Sequence, residues 1–128
     1  MIKTANLAYA DAGFIHHNDD EVYVEILQAG HPAFELTLGS KICLDGACFK
    51  KDTFIKKYLN PYYPKDILKS IFLGRPIFNR ENIIETKEGF EQKIYDQTRY
   101  QINYKVMHDT IRFKDSQSKI LIKIKKIP

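Results

Sequence analysis

The chain has 128 residues and a formal net charge of +4, from 20 Lys and Arg against 16 Asp and Glu. This length is typical of one domain, and a content of 44% hydrophobic and 28% charged residues excludes global disorder. No apolar run reaches the ~18 to 20 residues of a membrane helix, so we expect residues 1–128 to form a single domain without a transmembrane helix.

Two early segments alternate apolar and polar residues with the period of a β-strand. Their apolar positions share one face in each segment and are Val22, Val24 and Ile26, then Phe34, Leu36 and Leu38. Between the segments, Gly30, His31 and Pro32 predict a break. Gly39 and Ser40 predict a second bend, so the first half of the chain is typical of an antiparallel meander.

The two cysteines flank a tight turn in 41–50. Asp45-Gly46 readily takes the positive φ angles of a two-residue hairpin turn, and this register sets Cys43 opposite Cys48. In such a non-hydrogen-bonded pair the Cα atoms lie about 4.5 Å apart, within reach of a disulfide. A zinc or redox site and two reduced thiols are the alternatives, but the spacing is not CxxC and there is no second cysteine pair. We predict a disulfide, hence an oxidising compartment and a secretion signal removed from the precursor.

The middle of the chain changes to helical spacing. Asp52 is predicted to cap a first short helix, which Pro61 ends. A second helix is predicted from Pro64 to Gly74, with an apolar stripe of Ile67, Leu68, Ile71 and Phe72. Both helices are expected to cover one face of a sheet.

Strand patterns return in the second half, at 90–95, 99–107, 110–114 and 119–127, separated by short polar turns. The order of strands, two helices and strands predicts an α+β domain with a single curved antiparallel β-sheet, a half-barrel, and two short helices covering one face.

Candidate catalytic or metal residues do not form a defined motif. His16-His17 with Asn18, Asp19 and Asp20 is interpreted as a polar turn, and His31 and His108 as turn residues. No serine lies in a nucleophile-elbow context and no Gly-rich phosphate loop occurs. We therefore expect a protein that is not an enzyme and has no metal and no cofactor.

The C-terminal lysines alternate with isoleucines. Lys119, Lys123, Lys125 and Lys126 are interleaved with Ile120, Ile122 and Ile124, which is typical of the solvated face of a strand. No RNA-binding aromatic signature accompanies them, so nucleic acid is not expected as a partner.

Three stretches resemble the LolA/LolB-like lipoprotein-localisation family of Gram-negative bacteria. The first is 23–38, where two strands flank a loop that contains Gly30. The second is 66–77, a helix followed by a Gly-x-Pro sequence, and the third is the pair of closing strands at 100–104 and 120–124. The resemblance implies a half-barrel covered by helices, and a mature form anchored by an acylated cysteine upstream of this chain. It also implies a periplasmic location or one at the periplasmic face of the outer membrane.

The function that follows is binding of acyl chains or a lipoprotein in an apolar cavity, as in lipoprotein localisation to the outer membrane. The side chains expected to line that cavity are Val24, Ile26, Phe34, Leu36, Ile67, Leu68, Ile71, Phe72, Tyr100, Ile102 and Tyr104. The same residues could instead fill a packed core. In that alternative the protein is a small envelope lipoprotein with a structural or protein-interaction role, working through an exposed sheet edge or aromatic patch.

Overall fold

The structure is a computed structural model that describes residues 2–3, 8–9, 13–28 and 31–125. The twelve described strands are β1 (Ile2–Lys3), β2 (Ala8–Tyr9), β3 (Gly13–His17), β4 (Val22–Gln28), β5 (His31–Leu38), β6 (Ile42–Leu44), β7 (Ala47–Phe49), β8 (Ile83–Glu85), β9 (Phe90–Asp96), β10 (Tyr100–Val106), β11 (Thr110–Asp115) and β12 (Ile120–Lys125). The helices are α1 (Lys51–Tyr58) and α2 (Ile67–Phe72), followed by a single 3-10 turn at Phe78–Arg80. Within these residues, neither helix is long and apolar enough to cross a membrane.

The strands form two antiparallel sheets. The large sheet has seven strands in the order β2-β1-β12-β11-β10-β9-β8, and the small sheet has five in the order β3-β4-β5-β6-β7. The α+β class with antiparallel strands and two short helices is therefore confirmed, whereas the single sheet is wrong. The helical segment between β7 and β8 interrupts the hydrogen-bonded ladder, so the two meanders pair separately.

Both sheets and both helices contribute to one buried core. The small sheet supplies side chains from β4, β5 and β6, and the large sheet supplies them from β1 and β9 to β12. The aromatic rings of Phe54 and Tyr58 on α1 pack against Phe49 of β7. A β-carbon placed on Gly74, just after α2, would lie 3.4 Å from the side chains of Ile111 and Val106, so this end of α2 faces the large sheet. The helices thus lie in the same interior as the inner faces of the sheets.

The cysteine hairpin has the predicted register. Asp45 and Gly46 have φ angles of 50° and 87°, as a two-residue type I′ turn requires. Cys43 pairs with Cys48, the two Cα atoms are 4.0 Å apart, and the disulfide is formed. The predicted disulfide is confirmed, and it joins β6 to β7 at the edge of the small sheet.

Two polar stretches of the first half belong to strands rather than turns. His16 and His17 lie in β3, and the turn begins one residue later, where Asn18 Oδ1 accepts the N–H groups of Asp20 and Glu21. His31 and Pro32 lie in β5, beside a register shift between Ile26 and Leu27. Pairing with β4 extends β5 towards its N-terminus, and the shift accommodates the proline. The Ala29-Gly30 connection, which the family resemblance includes, lies outside the described residues.

The helices differ from their predictions at the N-termini. Lys50 is the N-cap of α1. Asp52 lies in the first turn, where its carboxylate accepts a hydrogen bond from the N–H of Thr53. Helix α2 begins at Ile67, because Pro64 and Asp66 form the turn before it. Gly74 ends it with φ of 67°, as predicted. The four strands predicted in the second half are confirmed to within two residues as β9 to β12, whereas β8 was not predicted. The predicted end at Ile127 lies outside the described part of the chain.

Candidate binding sites

The eleven side chains expected to line a cavity do converge on one interior. Ten of them are buried, with exposures between 0 and 8%, and Tyr100 is half-buried and packs against the same core. They come from β4, β5, α2 and β10, which lie far apart in sequence. Strand and helix periodicity was therefore sufficient to predict which side chains point inward.

The same side chains leave little accessible space between them. A cavity wide enough for an acyl chain would expose its lining to water-sized molecules, yet Ile67, Leu68, Ile71 and Phe72 on α2 are each at most 5% exposed. A groove of about 290 Å³ lies elsewhere, beside α1, and it is lined by Asp52, Thr53, Lys56 and Lys57. Its charged lining does not suit an alkyl chain. Acyl-chain binding in the interior would require α2 to move.

The buried polar groups of the large sheet form a bonded network. Asp115, fully buried at the end of β11, accepts a hydrogen bond from the Tyr63 hydroxyl on Oδ2. Its Oδ1 accepts the backbone N–H groups of Gln101, Gln117 and Ser118 at 2.9, 3.0 and 3.2 Å. Burial, followed by the bond to Asp115, strongly raises the pKa of Tyr63. We name Asp115 with these four donors the Asp115 hub.

A second polar network holds the chain that leads into β8. Phe78, Asn79 and Arg80 have φ angles of 49°, 52° and 64°, a left-handed conformation that costs roughly 1 kcal/mol or more for each non-glycine residue. Buried Gln92 bonds to the backbone on both sides of this turn: Oε1 accepts the N–H of Ile77 at 2.9 Å, and Nε2 donates to the carbonyls of Ile77 and Glu81, each at 2.8 Å. Both networks are explained by folding, and neither forms a catalytic arrangement.

Strand β3 is an exposed edge of the small sheet. Among the described strands it pairs only with β4, so the backbone N–H and C=O groups on its other side have no partner strand in this part of the chain. Gly13–His17 contains no Lys, Asp, Glu or Pro, the residues that commonly protect an edge from pairing with another chain. Phe14 on this strand is 55% exposed. An unprotected edge beside an exposed aromatic ring is typical of a surface that adds a strand from a partner.

Acidic side chains lie beside this edge on the outer face of the small sheet. Phe14, Glu25 and Glu35 are directly opposite one another across β3, β4 and β5. Partial burial, together with the carboxylates of Glu35 and Glu25, raises the pKa of Tyr23 to about 12. We name Phe14, Tyr23, Glu25 and Glu35 the acidic face.

The sequence interpretation missed β3, although a signal was present. Phe14 and Ile15 precede Asn18, whose side chain closes an Asx turn, and Val22 begins the next alternating segment. A short apolar pair before a turn residue and a clear strand is consistent with a hairpin. The histidines of β3 do not gather a metal site, because consecutive strand residues point to opposite faces. In the described part of the chain no group of three metal-ligating side chains occurs.

Comparison with protein-family models, with curated proteins and with solved structures finds no match for this chain. The resemblance to the LolA/LolB-like family therefore stays a hypothesis. Any functional proposal depends on the surfaces and the interior described above.

Proposed function

We propose that this protein is a non-catalytic binding module of the cell envelope that captures an extended protein segment along the outer edge of β3, which pairs with no other described strand. The observation that carries the proposal is the unprotected five-residue edge with Phe14 exposed beside it. A partner strand would bond to the backbone of β3, and its side chains would give specificity.

The acidic face defines the chemistry of the partner. A strand added outside β3 would place alternate side chains beside Phe14 and within reach of Glu25. Such a partner would carry an apolar residue against the Phe14 ring and basic residues towards the carboxylates. The disulfide supports a location outside the cytoplasm, in the periplasm or at the periplasmic face of the outer membrane. A lipid anchor upstream of the chain belongs to the same proposal.

A labelled peptide of alternating lysine and valine residues provides a direct test. We expect saturable binding by fluorescence anisotropy, and a loss of at least tenfold in affinity for Phe14→Lys, because the substitution places a positive charge at the edge against a basic peptide. Tyr95→Lys is the matched control, because Tyr95 is also 55% exposed but lies on β9 of the other sheet. Equal affinities for the two variants, or no saturable binding, would contradict the proposal.

Acyl chains or a lipoprotein, as in lipoprotein localisation to the outer membrane, are the second candidate ligands. Two observations favour these ligands. The eleven apolar side chains converge on one interior, and α2, which would have to move to admit an acyl chain, is a helix of only six residues. The test is titration with a fluorescent fatty acid and displacement by palmitate. Saturable, displaceable binding together with no peptide binding would favour this candidate over strand capture.

A further inference from the structure

The outer face of the large sheet collects basic side chains from strands that are distant in sequence. Pairing of the strands aligns Lys105, Arg112 and Lys123 in one row across β10, β11 and β12. A neighbouring row contains Lys93, Lys114 and Lys3, and Lys125 lies opposite Thr110. All seven side chains are exposed. We name Lys3, Lys93, Lys105, Arg112, Lys114, Lys123 and Lys125 the basic face.

The charge of this face is larger than that of the whole protein. Glu91, which contacts Lys105 at 3.2 Å, is the one carboxylate on the outward-facing positions of the described strands β1 and β9 to β12. Seven cations against one carboxylate exceed the net charge of +4 for the full chain. The positive charge is therefore concentrated on one side of the molecule, and the remainder carries a small negative excess.

The arrangement opposes like charges directly. Arg112 is the cross-strand partner of both Lys105 and Lys123. Side chains opposite each other in an antiparallel pair have Cβ atoms about 5 Å apart, and like charges at that separation destabilise the sheet. An anionic surface laid against this face would relieve the repulsion. If the outer face of this sheet were only a solvated surface, nothing would require cations from three strands to lie directly opposite one another.

We propose that the basic face binds the anionic phospholipid headgroups of a membrane surface. Six of its seven cations are lysines, which act as point charges and need no bidentate geometry. Their long stems allow the ammonium groups to meet a plane despite the twist of the sheet. The neighbouring row, from Lys93 on β9 to Lys3 on β1, crosses five adjacent strands and spans about 19 Å, which covers several headgroups.

Apolar side chains at one side of the basic face favour a membrane over nucleic acid. Ile84 on β8 and Tyr95 on β9 point outward with exposures of 60% and 55%. An exposed Ile and Tyr beside lysines can enter the interfacial region of a bilayer, where Tyr is enriched. Sheet surfaces that bind single-stranded RNA stack several bases on aromatic rings, whereas this face carries Tyr95 alone among its described outward positions.

Vesicle co-sedimentation tests the inference on the full chain. We expect binding to phosphatidylcholine vesicles that contain one third phosphatidylglycerol, little binding to pure phosphatidylcholine, and release by salt. Each lysine or arginine near an anionic surface contributes about fivefold in affinity, so Lys105→Gln, Arg112→Gln and Lys123→Gln together should weaken partitioning about a hundredfold. A second triple variant, Lys3→Gln, Lys93→Gln and Lys114→Gln, should do the same if the first does not fold.

The matched control neutralises three exposed lysines away from this face, Lys41, Lys56 and Lys65, all to Gln. It changes the net charge equally and should leave partitioning within about twofold of the original protein. Equal losses in the control and the basic-face variants would overturn the inference, as would no binding to anionic vesicles. Tighter binding to a single-stranded oligonucleotide than to vesicles would also overturn it. Phe14→Lys should retain vesicle binding, so failure of strand capture at β3 and failure of this inference are distinguishable.

Discussion

The two sheets share one core but are secured by different means. In the large sheet, the turns at 97–99 and 116–119 are held by the Asp115 hub and by Asn60, whose Nδ2 donates to the Arg99 carbonyl and to Ser118 Oγ, each at 2.8 Å. In the small sheet, the end of the meander is held by the covalent bond between Cys43 and Cys48. The hub joins segments that are distant in sequence, whereas the disulfide joins residues only five positions apart. The hub should therefore matter more for the whole fold.

The outer faces differ in charge as well. The basic face of the large sheet opposes Arg112 to Lys105 and Lys123, and the acidic face of the small sheet opposes Glu25 to Glu35. Each face tolerates unfavourable cross-strand pairs that a partner of the opposite sign would neutralise. The two proposed partners, a basic strand and an anionic membrane, would approach different sheets, so both could be bound by one molecule.

Removing the hub carboxylate should have the largest effect on stability. Asp115→Ala leaves the Tyr63 hydroxyl and three backbone N–H groups without their acceptor in the interior, so we expect a loss of about 3 to 5 kcal/mol in the free energy of unfolding. Urea denaturation measures it. Asp66→Ala is the control, because that exposed carboxylate pairs only with Lys51 in the described structure and should cost less than about 1 kcal/mol. Equal losses would mean that the hub does not secure the large sheet.

Removing the disulfide should have a smaller effect. The closed loop is short, so the loop-closure entropy lost in Cys43→Ala with Cys48→Ala corresponds to about 2 kcal/mol. Thermal or urea unfolding of the double variant measures the change, with reduction of the original protein as a second measure. A loss larger than that of Asp115→Ala would reverse the comparison between the two sheets.

The fold could be predicted from the sequence where local signals determine it. Asp45-Gly46 defined the cysteine hairpin, and alternation in β4, β5 and β10 identified the inward-facing side chains. The number of sheets was not predictable in this way, because periodicity describes one strand and not its partner. Nothing in the residues of β7 and β8 indicates that these strands are edges of different sheets.

The surfaces were less predictable than the core for the same reason. Lys123 and Lys125 were interpreted as a solvated strand face, and Lys105 and Arg112 lie on other strands. Only the register shows that three of these cations share a row. The Asp115 hub was also missed, since its donors come from residue 63 and from 101 to 118, and no short motif connects them.

Charge reversal at Arg112 measures separately how the basic face affects stability and how it affects membrane binding. Arg112→Glu would convert two repulsive cross-strand pairs into attractive ones, so we expect a gain of about 0.4 to 2 kcal/mol in unfolding free energy at low salt. The gain should shrink in high salt, and Arg112→Gln should give a smaller one. The same variant should bind anionic vesicles more weakly. A variant that is neither more stable nor weaker in vesicle binding would indicate that the row of cations does not interact.

The smallest expected change in stability comes from Tyr23 on the acidic face and appears at high pH. The phenol of Tyr23 is neutral when protonated, and its pKa is raised to about 12 in the folded protein against about 10 in an unfolded chain. Its contribution to stability is therefore complete below pH 10 and is lost as the pH rises towards 12. Burial also raises the pKa values of Tyr63 and Tyr104, so they add to the loss in the same direction.

Glu35→Lys tests whether the acidic face contributes to this shift. Replacing the carboxylate by a cation removes the hydrogen bond and the repulsion that disfavour the Tyr23 phenolate, so its pKa should fall towards 10. Absorbance of the phenolate against pH measures the change, and Tyr23→Phe identifies which part of the titration belongs to Tyr23. Lys105→Glu on the other sheet should leave this titration unchanged. If Glu35→Lys leaves it unchanged too, partial burial alone raises the pKa, and the acidic face exerts less electrostatic influence than its register implies.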